Sequence, residues 1–458
     1  MGSHVMDLTM LKNNFGTEKM RLVWDDKARM SAQLQVEAAL AKAEADLGLI
    51  SKEAAEKIVA ASDVELYNIE EIAAAAAASK HSLMATISAL QVQSGNAGEF
   101  VHYGATTQDI VDTGMMLQLK KAYNYITEDV NTVIVTLAKM AKKYQSVPMV
   151  GRTHAMHALP ITFGYKLAVW LDEFGRHRER LEQLKDRVFT GSMSGAVGTY
   201  ASFGPLGSEV EKKTMEYLGL HAPNICWQSA RDRFAEYASV LASISATMGK
   251  TGNEFYNLMR TEIGEIEEQF TKGKIGSSTM PHKRNPAAIE GLASLTPAVL
   301  QSVGLIYQSA HMEHERDAMA WRLEWIALPE MNTYVSYQLV ALKAILDGIT
   351  VNKEKMYENL NLQYGLLLSE KVMFEVGEKL GKQTAHHVVY EASMKSYEEK
   401  RSFGEVLLEQ SEIAEYFDRE TVESWLVPEK YTGLAEQKVD EVIQALTKKG
   451  YLTAQDNG

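Results

Sequence analysis

The sequence has 458 residues, of which 47 are basic and 60 acidic, so its formal net charge is -13. This balance argues against a nucleic-acid or anionic membrane partner, because both favour basic protein surfaces. The single cysteine, Cys226, excludes an intrachain disulfide and a Cys-rich metal site. We find no run of roughly 18 apolar residues that would predict a membrane span, and we expect a cytoplasmic protein.

Helix-forming residues dominate two long segments without proline, 6–147 and 330–427. Both are rich in Ala, Leu, Glu, Lys and Met, and their apolar residues recur at intervals of three and four. The alternation typical of strands is scarce. We therefore predict an all-α fold with three helical domains: an N-terminal domain over 1–104, a central long-helix bundle over 105–350 and a C-terminal cap domain over 351–458.

The first motif, VHYGATTQD, is a short polar stretch from Val101 to Asp109, ahead of a helix-forming run. Thr106, Thr107 and Asp109 are residue types that cap helix N-termini well. Hydroxyl groups at this place could equally hold a ligand. The residues alone leave both interpretations open.

The second motif, GRTHAMHALP, covers residues 151–160 and contains two histidines. Gly151 and Pro160 bracket a segment that we predict to be turn-like or to start a helix. Taken alone, His154 and His157 are more often structural histidines than catalytic ones, although imidazole suits acid or base chemistry near neutral pH.

The segment 272–286, KGKIGSSTMPHKRNP, concentrates more potential chemistry than any other stretch of similar length. Its two glycines and two prolines predict a long loop rather than a continuous helix. Ser277 and Ser278 lie among cations that include Lys283, and this mixture suits an anionic ligand. A solvated basic loop without a function would have the same composition.

The order GSSTMPHKRNP closely resembles the signature of the fumarase/aspartase superfamily, and the resemblance extends over nearly the whole chain. It implies an all-α homotetramer whose central domains form a long helical bundle, with each active site drawing on three subunits. In that family the first serine of the signature pair is the general base, and the loop closes over the site. The resemblance therefore assigns proton abstraction to Ser277.

The same resemblance implies the other site residues. The GRTH motif places His154 in the active site, as general acid or as a group that orients the substrate, with Glu290 as its partner carboxylate. Lys80 and His81 stand where adenylosuccinate lyases have an Arg-His pair, so His81 is a second candidate acid. The residues that the resemblance assigns to substrate binding are Lys283, Asn285, Ser278, Thr106, Thr107 and His102.

Several positions depart from the pattern of adenylosuccinate lyases. The Arg-Tyr-Ser that helps those enzymes hold the nucleotide aligns with Asn14, Phe15 and Gly16, and their glutamine just before the RDR triplet aligns with Ala230. Their serine-rich stretch ending in an arginine has become AMAWRLEW at 318–325. Each change removes a polar contact that a buried phosphate needs, so we predict that the leaving group is not AMP.

The patterns ATTQD, ARDR and HERDAMAWRLEW are instead similar to the branch that contains bacterial 3-carboxy-cis,cis-muconate cycloisomerase. Arg316 and Arg322 of this last stretch offer planar forks for further substrate carboxylates. We predict a cofactor-independent lyase, without a metal site, that carries out β-elimination on a succinyl-type polycarboxylate and releases fumarate. Two alternatives stay open: a lactone-forming 3-carboxy-cis,cis-muconate cycloisomerase and a catalytically silent structural tetramer.

Overall fold

The computed structural model describes residues 4–269, 280, 282–453 and 456. Most of them are helical, which confirms the predicted all-α fold. The chain divides into two compact units, each built from three stretches that are far apart in sequence. Unit 1 contains Met1–Val130, His177–Gly249 and Ser294–Val340, and unit 2 contains Asn131–Arg176, Lys250–Ala293 and Ala341–Gly458. The boundaries of the three sequence-based domains stay a prediction.

Helices and short strands follow one another along the described chain. The elements before residue 270 are α1 (Glu18–Arg21), α2 (Asp26–Asp46), α3 (Lys52–Ala61), α4 (Ile69–Ser79), α5 (Ser82–Gln93), α6 (Thr107–Lys143), β1 (Pro148–Thr153), β2 (Met156–Thr162), α7 (Phe163–Val188), α8 (Gly207–Leu218), α9 (Asp232–Leu258) and β3 (Ile266–Glu267). The later elements are α10 (Ala287–Ser294), α11 (Thr296–Ser309), α12 (Ala318–Gly348), β4 (Thr350–Val351), α13 (Lys353–Asn361), α14 (Ser369–Leu380), α15 (Lys382–Glu399), α16 (Phe403–Leu408), α17 (Ser411–Ala414), α18 (Arg419–Trp425) and α19 (Ala435–Lys448).

Several helices begin where a side-chain oxygen can accept a hydrogen bond from the free N–H groups of the first turn. Asp25 accepts from the Ala28 N–H before α2, at 2.7 Å. Asp418 does the same before α18, at 2.8 Å from the Thr421 nitrogen. Each such cap stabilises a helix by about 1 kcal/mol, so these starting points are fixed by local sequence.

Four long helices, α6, α7, α9 and α12, have residues in both units. The longest, α6, has 37 residues, and apolar side chains such as Ile110, Leu119 and Val130 are fully buried along it. Helices with extensive apolar surface are typical of the interior of a bundle. Pro329 lies inside α12 without ending it.

The strands form two small antiparallel pairs. β1 and β2 make a hairpin in which Pro148 faces Thr162 and Thr153 faces Met156, with an irregularity between Val150 and Arg152. β3 pairs with β4. The sequence predicted a turn or a helix start in this region. A turn is present at residues 154 and 155, and the strands that flank it were not predicted.

One helical stretch in the described part of the chain, Ala287–Ser309, is long and apolar enough to cross a membrane by length and composition alone. A third of its most apolar window, 33%, is buried inside the protein. Core helices of soluble proteins satisfy the same criterion.

Candidate active site

The predicted site residues belong to different parts of the structure. Those in unit 1 are His81, His102, Thr106, Thr107, Arg316 and Arg322. Those in unit 2 are His154, Lys283, Asn285 and Glu290. Ser277 and Ser278 lie outside the described residues.

The start of α6 is built around the carboxylate of Asp109. Thr106 precedes the helix, and Asp109 reaches back to accept a hydrogen bond from the Thr106 N–H at 3.1 Å, as in a capping box. Four more donors converge on this carboxylate, from Ser192 Oγ, the backbone N–H groups of Ser194 and Gly195, and the Gln228 amide. Burial raises the pKa of Asp109, and the N–H and O–H donors oppose this rise. The Asp109 carboxylate therefore holds the loop around residues 192–195 against the first turn of α6.

Arg316 lies directly against Thr106. Its guanidinium donates to Thr106 Oγ1 at 3.0 Å, to Gln108 Oε1 at 3.0 Å and to the Ala196 carbonyl at 2.7 Å, with a longer bond to Gln228 Oε1. All of these acceptors are neutral, and no described carboxylate forms an ion pair with Arg316. Its positive charge therefore stays available beside Thr106, as an anionic substrate requires.

A buried ion-pair network lies next to this cluster. The Arg231 guanidinium, 1% exposed, donates to both oxygens of Asp112 at 2.6 and 3.0 Å and to Glu324 Oε1 at 2.8 Å. Asp112 also accepts from Gln108 Nε2 at 3.0 Å and from the Trp321 indole N–H at 2.7 Å. Because Gln108 contacts both Asp112 and Arg316, the network supports the guanidinium that holds Thr106.

His102 is held by Glu37 of α2. Its Nδ1 lies 2.7 Å from Glu37 Oε1, and its backbone N–H donates to Glu37 Oε2 at 3.1 Å. Burial alone would lower the pKa of His102, but the hydrogen bond and charge of Glu37 outweigh burial and raise the pKa above its ordinary value. Glu37 therefore favours an imidazolium at His102, which would attract an anionic ligand.

His81 serves as the N-cap of α5, and its Nδ1 accepts a hydrogen bond from the Met84 N–H at 3.2 Å. This ring nitrogen therefore acts as a hydrogen-bond acceptor that caps the helix. Arg322 lies on α12, and its side chain is exposed. No described carboxylate forms an ion pair with Arg322.

In unit 2, His154 lies at the tip of the hairpin. His154 and Ala155 form its two-residue turn, with φ of 53° and 64°. Left-handed backbone at two successive residues is typical of the tight hairpin turn that usually contains Asn-Gly, and for His-Ala it stores strain. The hairpin thus presents the exposed imidazole of His154 on a fixed, strained turn.

The hairpin is anchored by an ion pair below its tip. Arg152 donates to both oxygens of the buried Glu265, at 3.1 and 2.6 Å, and Asn359 Nδ2 donates to the same carboxylate at 2.8 Å. Burial, aided by the charge of Arg152, lowers the pKa of His157. His157 is therefore a neutral, structural histidine, whereas His154 projects from the turn.

The residues after the signature serines lead into α10. Lys283 is exposed, Asn285 is half-buried, and Glu290 lies in the first turn of the helix with an exposed side chain. Glu268 accepts from the Ala288 and Ile289 N–H groups at 2.9 and 3.2 Å and so caps α10. This cap fixes the helix on which Glu290 lies.

Ser192, Ser194 and Gln228 complete the cluster around Asp109, and the sequence did not predict them as site residues. The stretch 190–204, TGSMSGAVGTYASFG, carried a signal in its density of Ser and Gly. Such composition is typical of a loop whose backbone approaches other groups closely. In accord, Gly195 and Gly198 both have φ of 82°.

Comparison with known protein families identifies the family to which this chain belongs. A family profile described as "Lyase" matches residues 13–300, and one described as "Adenylosuccinate lyase C-terminus" matches residues 365–442. The chain belongs to this lyase family. It is therefore a member of the fumarase/aspartase superfamily, in the branch of adenylosuccinate lyases and muconate cycloisomerases, as the signature motif predicted.

Curated relatives of this lyase match it almost from end to end. An N-acetyl-S-(2-succino)cysteine lyase of Enterococcus italicus is 66% identical over 99% of both chains. One of Dickeya dadantii is 57% identical over 99% of this chain and 100% of the relative. An adenylosuccinate lyase of Methanocaldococcus jannaschii is 40% identical over 95% of this chain and 96% of the relative. The prediction of a succinyl-type lyase, rather than a silent structural tetramer, is confirmed.

Solved structures share the whole fold of this lyase. A β-carboxy-cis,cis-muconate cycloisomerase of Acinetobacter calcoaceticus aligns with a TM-score of 0.90 at 31% identity, covering 95% of this chain and 100% of its own. A fumarate lyase of a Mesorhizobium species aligns with a TM-score of 0.88 at 34% identity, covering 94% and 98%.

Proposed function

We propose that this lyase cleaves N-acetyl-S-(2-succino)cysteine into fumarate and N-acetylcysteine. The observation that carries the proposal is the end-to-end similarity to two lyases of that name, 66% and 57% identical. The two tryptophans at 321 and 325 add to it, because they stand where adenylosuccinate lyases carry polar nucleotide contacts. Trp321 is instead bonded to Asp112.

The reaction is an elimination within the succinyl half of the substrate. A base removes a proton from the CH2 carbon next to a carboxylate, the electron pair forms the double bond of fumarate, and the carbon-sulfur bond breaks. The thiolate that leaves takes up a proton to become the thiol of N-acetylcysteine. A thiol has a pKa of about 8.5, so the thiolate is a better leaving group than an amine anion. It therefore depends less than an amine does on a proton from a general acid.

Removing the first proton places charge on the neighbouring carboxylate, and groups aimed at that charge lower the barrier. In the proposal Lys283 and Asn285 of unit 2 bind this carboxylate, and Ser277 is the base. Thr106 and Thr107 bind the other succinyl carboxylate, with Arg316 holding Thr106 and adding positive charge. His102 supports the same anion. Glu290 orients His154, and Ser278 and Arg322 complete the substrate contacts.

The decisive test measures two products at once. Purified protein is incubated with N-acetyl-S-(2-succino)cysteine, fumarate is followed by its ultraviolet absorbance, and free thiol is followed by a disulfide reagent. We expect equimolar fumarate and thiol, and no fumarate from adenylosuccinate. Fumarate from adenylosuccinate alone would contradict the proposal.

A second candidate is 3-carboxy-cis,cis-muconate cycloisomerase, which the structural similarity to such enzymes favours. The Pseudomonas putida lactonizing enzyme aligns with a TM-score of 0.90 at 34% identity over 96% of this chain and 99% of its own. Loss of 3-carboxy-cis,cis-muconate absorbance, without turnover of the succinyl thioether, would establish this activity instead.

We propose His154, rather than His81, as the acid that protonates the leaving group. The exchange of either histidine for asparagine preserves local structure, because asparagine tolerates the left-handed turn at 154 and caps a helix well at 81. We expect His154→Asn to lower kcat by about 100-fold, the lower end of general-acid contributions. His81→Asn should change kcat far less.

The measurement is kcat with the succinyl thioether, alongside circular dichroism and thermal unfolding of both variants. A large loss in His81→Asn with little change in His154→Asn would reverse the assignment. Equal losses in both would show that neither histidine acts alone as the acid.

We also propose the homotetramer that the family resemblance implies, in a cytoplasmic location. Met319, Ile326 and Val340 of α12 are 77%, 53% and 42% exposed, and they are spaced by multiples of seven residues, which places them on one face of the helix. Exposed apolar stripes of this kind support association. Light scattering of the purified protein should give four times the chain mass of 51.0 kDa.

The described residues contain no group of three His, Cys, Asp or Glu side chains that could hold a metal ion.

A further inference from the structure

Arg29 of α2 is a cation without an acceptor. The central carbon of its guanidinium lies 4.8 Å from the centre of the Trp325 ring. Burial lowers the pKa of Arg29, and only the charge of Asp26 opposes this. No described residue forms a hydrogen bond or an ion pair with the guanidinium. Stacking on an aromatic face leaves the N–H groups at the guanidinium edge free to bind a carboxylate with two parallel hydrogen bonds.

Arg29 borders a small cavity between α2, α4 and α5. The cavity volume is about 110 Å³, and its polar wall contains Asp26, Gln33, Ser82 and Thr86 besides Arg29. Asp26 is exposed, so water screens its carboxylate. Gln33 and Thr86 are 5% and 3% exposed, and among described residues the Gln33 amide has no hydrogen-bond partner. Ile69 and Ile72 of α4 form the apolar wall. The cavity thus brings a guanidinium and neutral polar groups together beside an apolar wall, a combination that suits a small polar ligand.

A continuous set of contacts within unit 1 joins Arg29 to the cluster at the start of α6. The Trp325 and Trp321 rings lie 5.0 Å apart, edge to face, and Trp321 is bonded to the ion-pair network described above. The contacts run in order through Arg29, Trp325, Trp321, Asp112, Gln108, Arg316 and Thr106. On its other side the cavity includes Ser82, the residue after His81. The cavity is therefore linked through packed and hydrogen-bonded side chains to Arg316 and Thr106, which the proposed function places at the substrate.

We propose that Arg29 binds the carboxylate of the leaving group, so that this lyase selects thiols whose carboxylate is attached to the carbon next to the sulfur-bearing carbon. The inference rests on the proposed function. The substrate has three carboxylates, and the two on the succinyl half are assigned to other residues. The third belongs to the N-acetylcysteine half and requires a cation of its own.

The size of the cavity agrees with this assignment. A cavity needs only about 10 to 15 Å³ of space to hold one water, so about 110 Å³ has room for a carboxylate with its attached carbon.

The test compares two substrates that differ only in the carboxylate: N-acetyl-S-(2-succino)cysteine and the matched thioether of N-acetylcysteamine. Arg29→Met removes the charge, and Arg29→Lys keeps the charge but loses the planar fork. We expect Arg29→Met to lower kcat/KM for the cysteine thioether by about 10- to 100-fold more than for the cysteamine thioether, in the range of a charge-assisted hydrogen-bond pair. The loss should appear mainly in KM, and Arg29→Lys should show a smaller difference between substrates.

Equal losses with the two substrates would overturn the inference, because they would mean that Arg29 only supports Trp325. No loss in Arg29→Met would overturn it as well. If the wild-type protein released no fumarate from either thioether, the proposed function would fail. In that event, calorimetric binding of N-acetylcysteine to the wild-type protein and Arg29→Met tests the inference separately. Binding that the variant loses would support the anion site, and equal behaviour of the two proteins would overturn it.

Discussion

Replacement of Arg231 by leucine is expected to destabilise unit 1 by about 3 to 5 kcal/mol, the cost of removing one partner from a buried ion pair. The guanidinium is 1% exposed and is bonded to both Asp112 and Glu324. Leucine would leave two carboxylates facing each other in the protein interior, without the cation that compensates them. A urea unfolding midpoint well below that of the wild-type protein should result.

The pH dependence of this variant follows from Glu324. Burial raises the pKa of Glu324, and the Arg231 charge opposes that rise, so the variant should raise this pKa further. A carboxyl whose pKa is higher in the folded state gives stability that is fully present below its unfolded pKa and is lost as pH rises through the folded pKa. The Arg231→Leu variant should therefore regain stability relative to the wild-type protein as the pH falls toward the ordinary carboxyl pKa of 4.5.

The matched control is Arg187→Leu in the same unit. The Arg187 Nε–H also donates to both oxygens of a carboxylate, that of Glu236, at 3.0 Å each. The Arg187 side chain, however, is 60% exposed. Exposed pairs contribute little because water already solvates both partners. A loss in Arg187→Leu as large as that in Arg231→Leu would contradict the burial argument.

Sequence alone predicted the helical class, because helix propensity and apolar spacing are local features. The site residues that follow from the signature motif stay a prediction. The sequence did not predict the β1–β2 hairpin. A two-residue hairpin turn is usually recognised by Asn-Gly or Asp-Gly, and here His154 and Ala155 fill it. The ion pair between Arg152 and Glu265 that anchors the hairpin joins residues 113 positions apart, which no local pattern reveals.

Asp109 shows the same limit. Its residue type and position allowed a helix start as one of two interpretations, and a helix does begin at Thr107. The sequence did not show that a distant serine- and glycine-rich loop supplies three of the five donors to Asp109. Arg316 was predicted as a fork for a substrate carboxylate. The structure adds that neutral groups hold this guanidinium in place beside Thr106, a detail that depends on tertiary packing.

The largest loss of activity is expected from Ser277→Ala. A serine hydroxyl is a weak base in water, so it acts only where nearby cations and donors favour the alkoxide. Such cations and donors follow in the chain, among them Lys283, whose side chain is exposed. With the proposed base removed, kcat should fall by at least about 1,000-fold. Folding and subunit association should persist, as circular dichroism and light scattering would show.

Ser278→Ala is the matched control, because it removes the same atom one residue further along the chain. If Ser277 is the base and Ser278 only contacts substrate, the second variant should mainly raise KM and keep most of kcat. Exchange of the substrate CH2 hydrogen with deuterated solvent, followed by NMR, separates proton abstraction from later steps. Loss of exchange in Ser277→Ala, but not in Ser278→Ala, is the result we expect. Loss of exchange in Ser278→Ala alone would move the base to Ser278, and normal turnover in both variants would exclude the serine pair from proton abstraction.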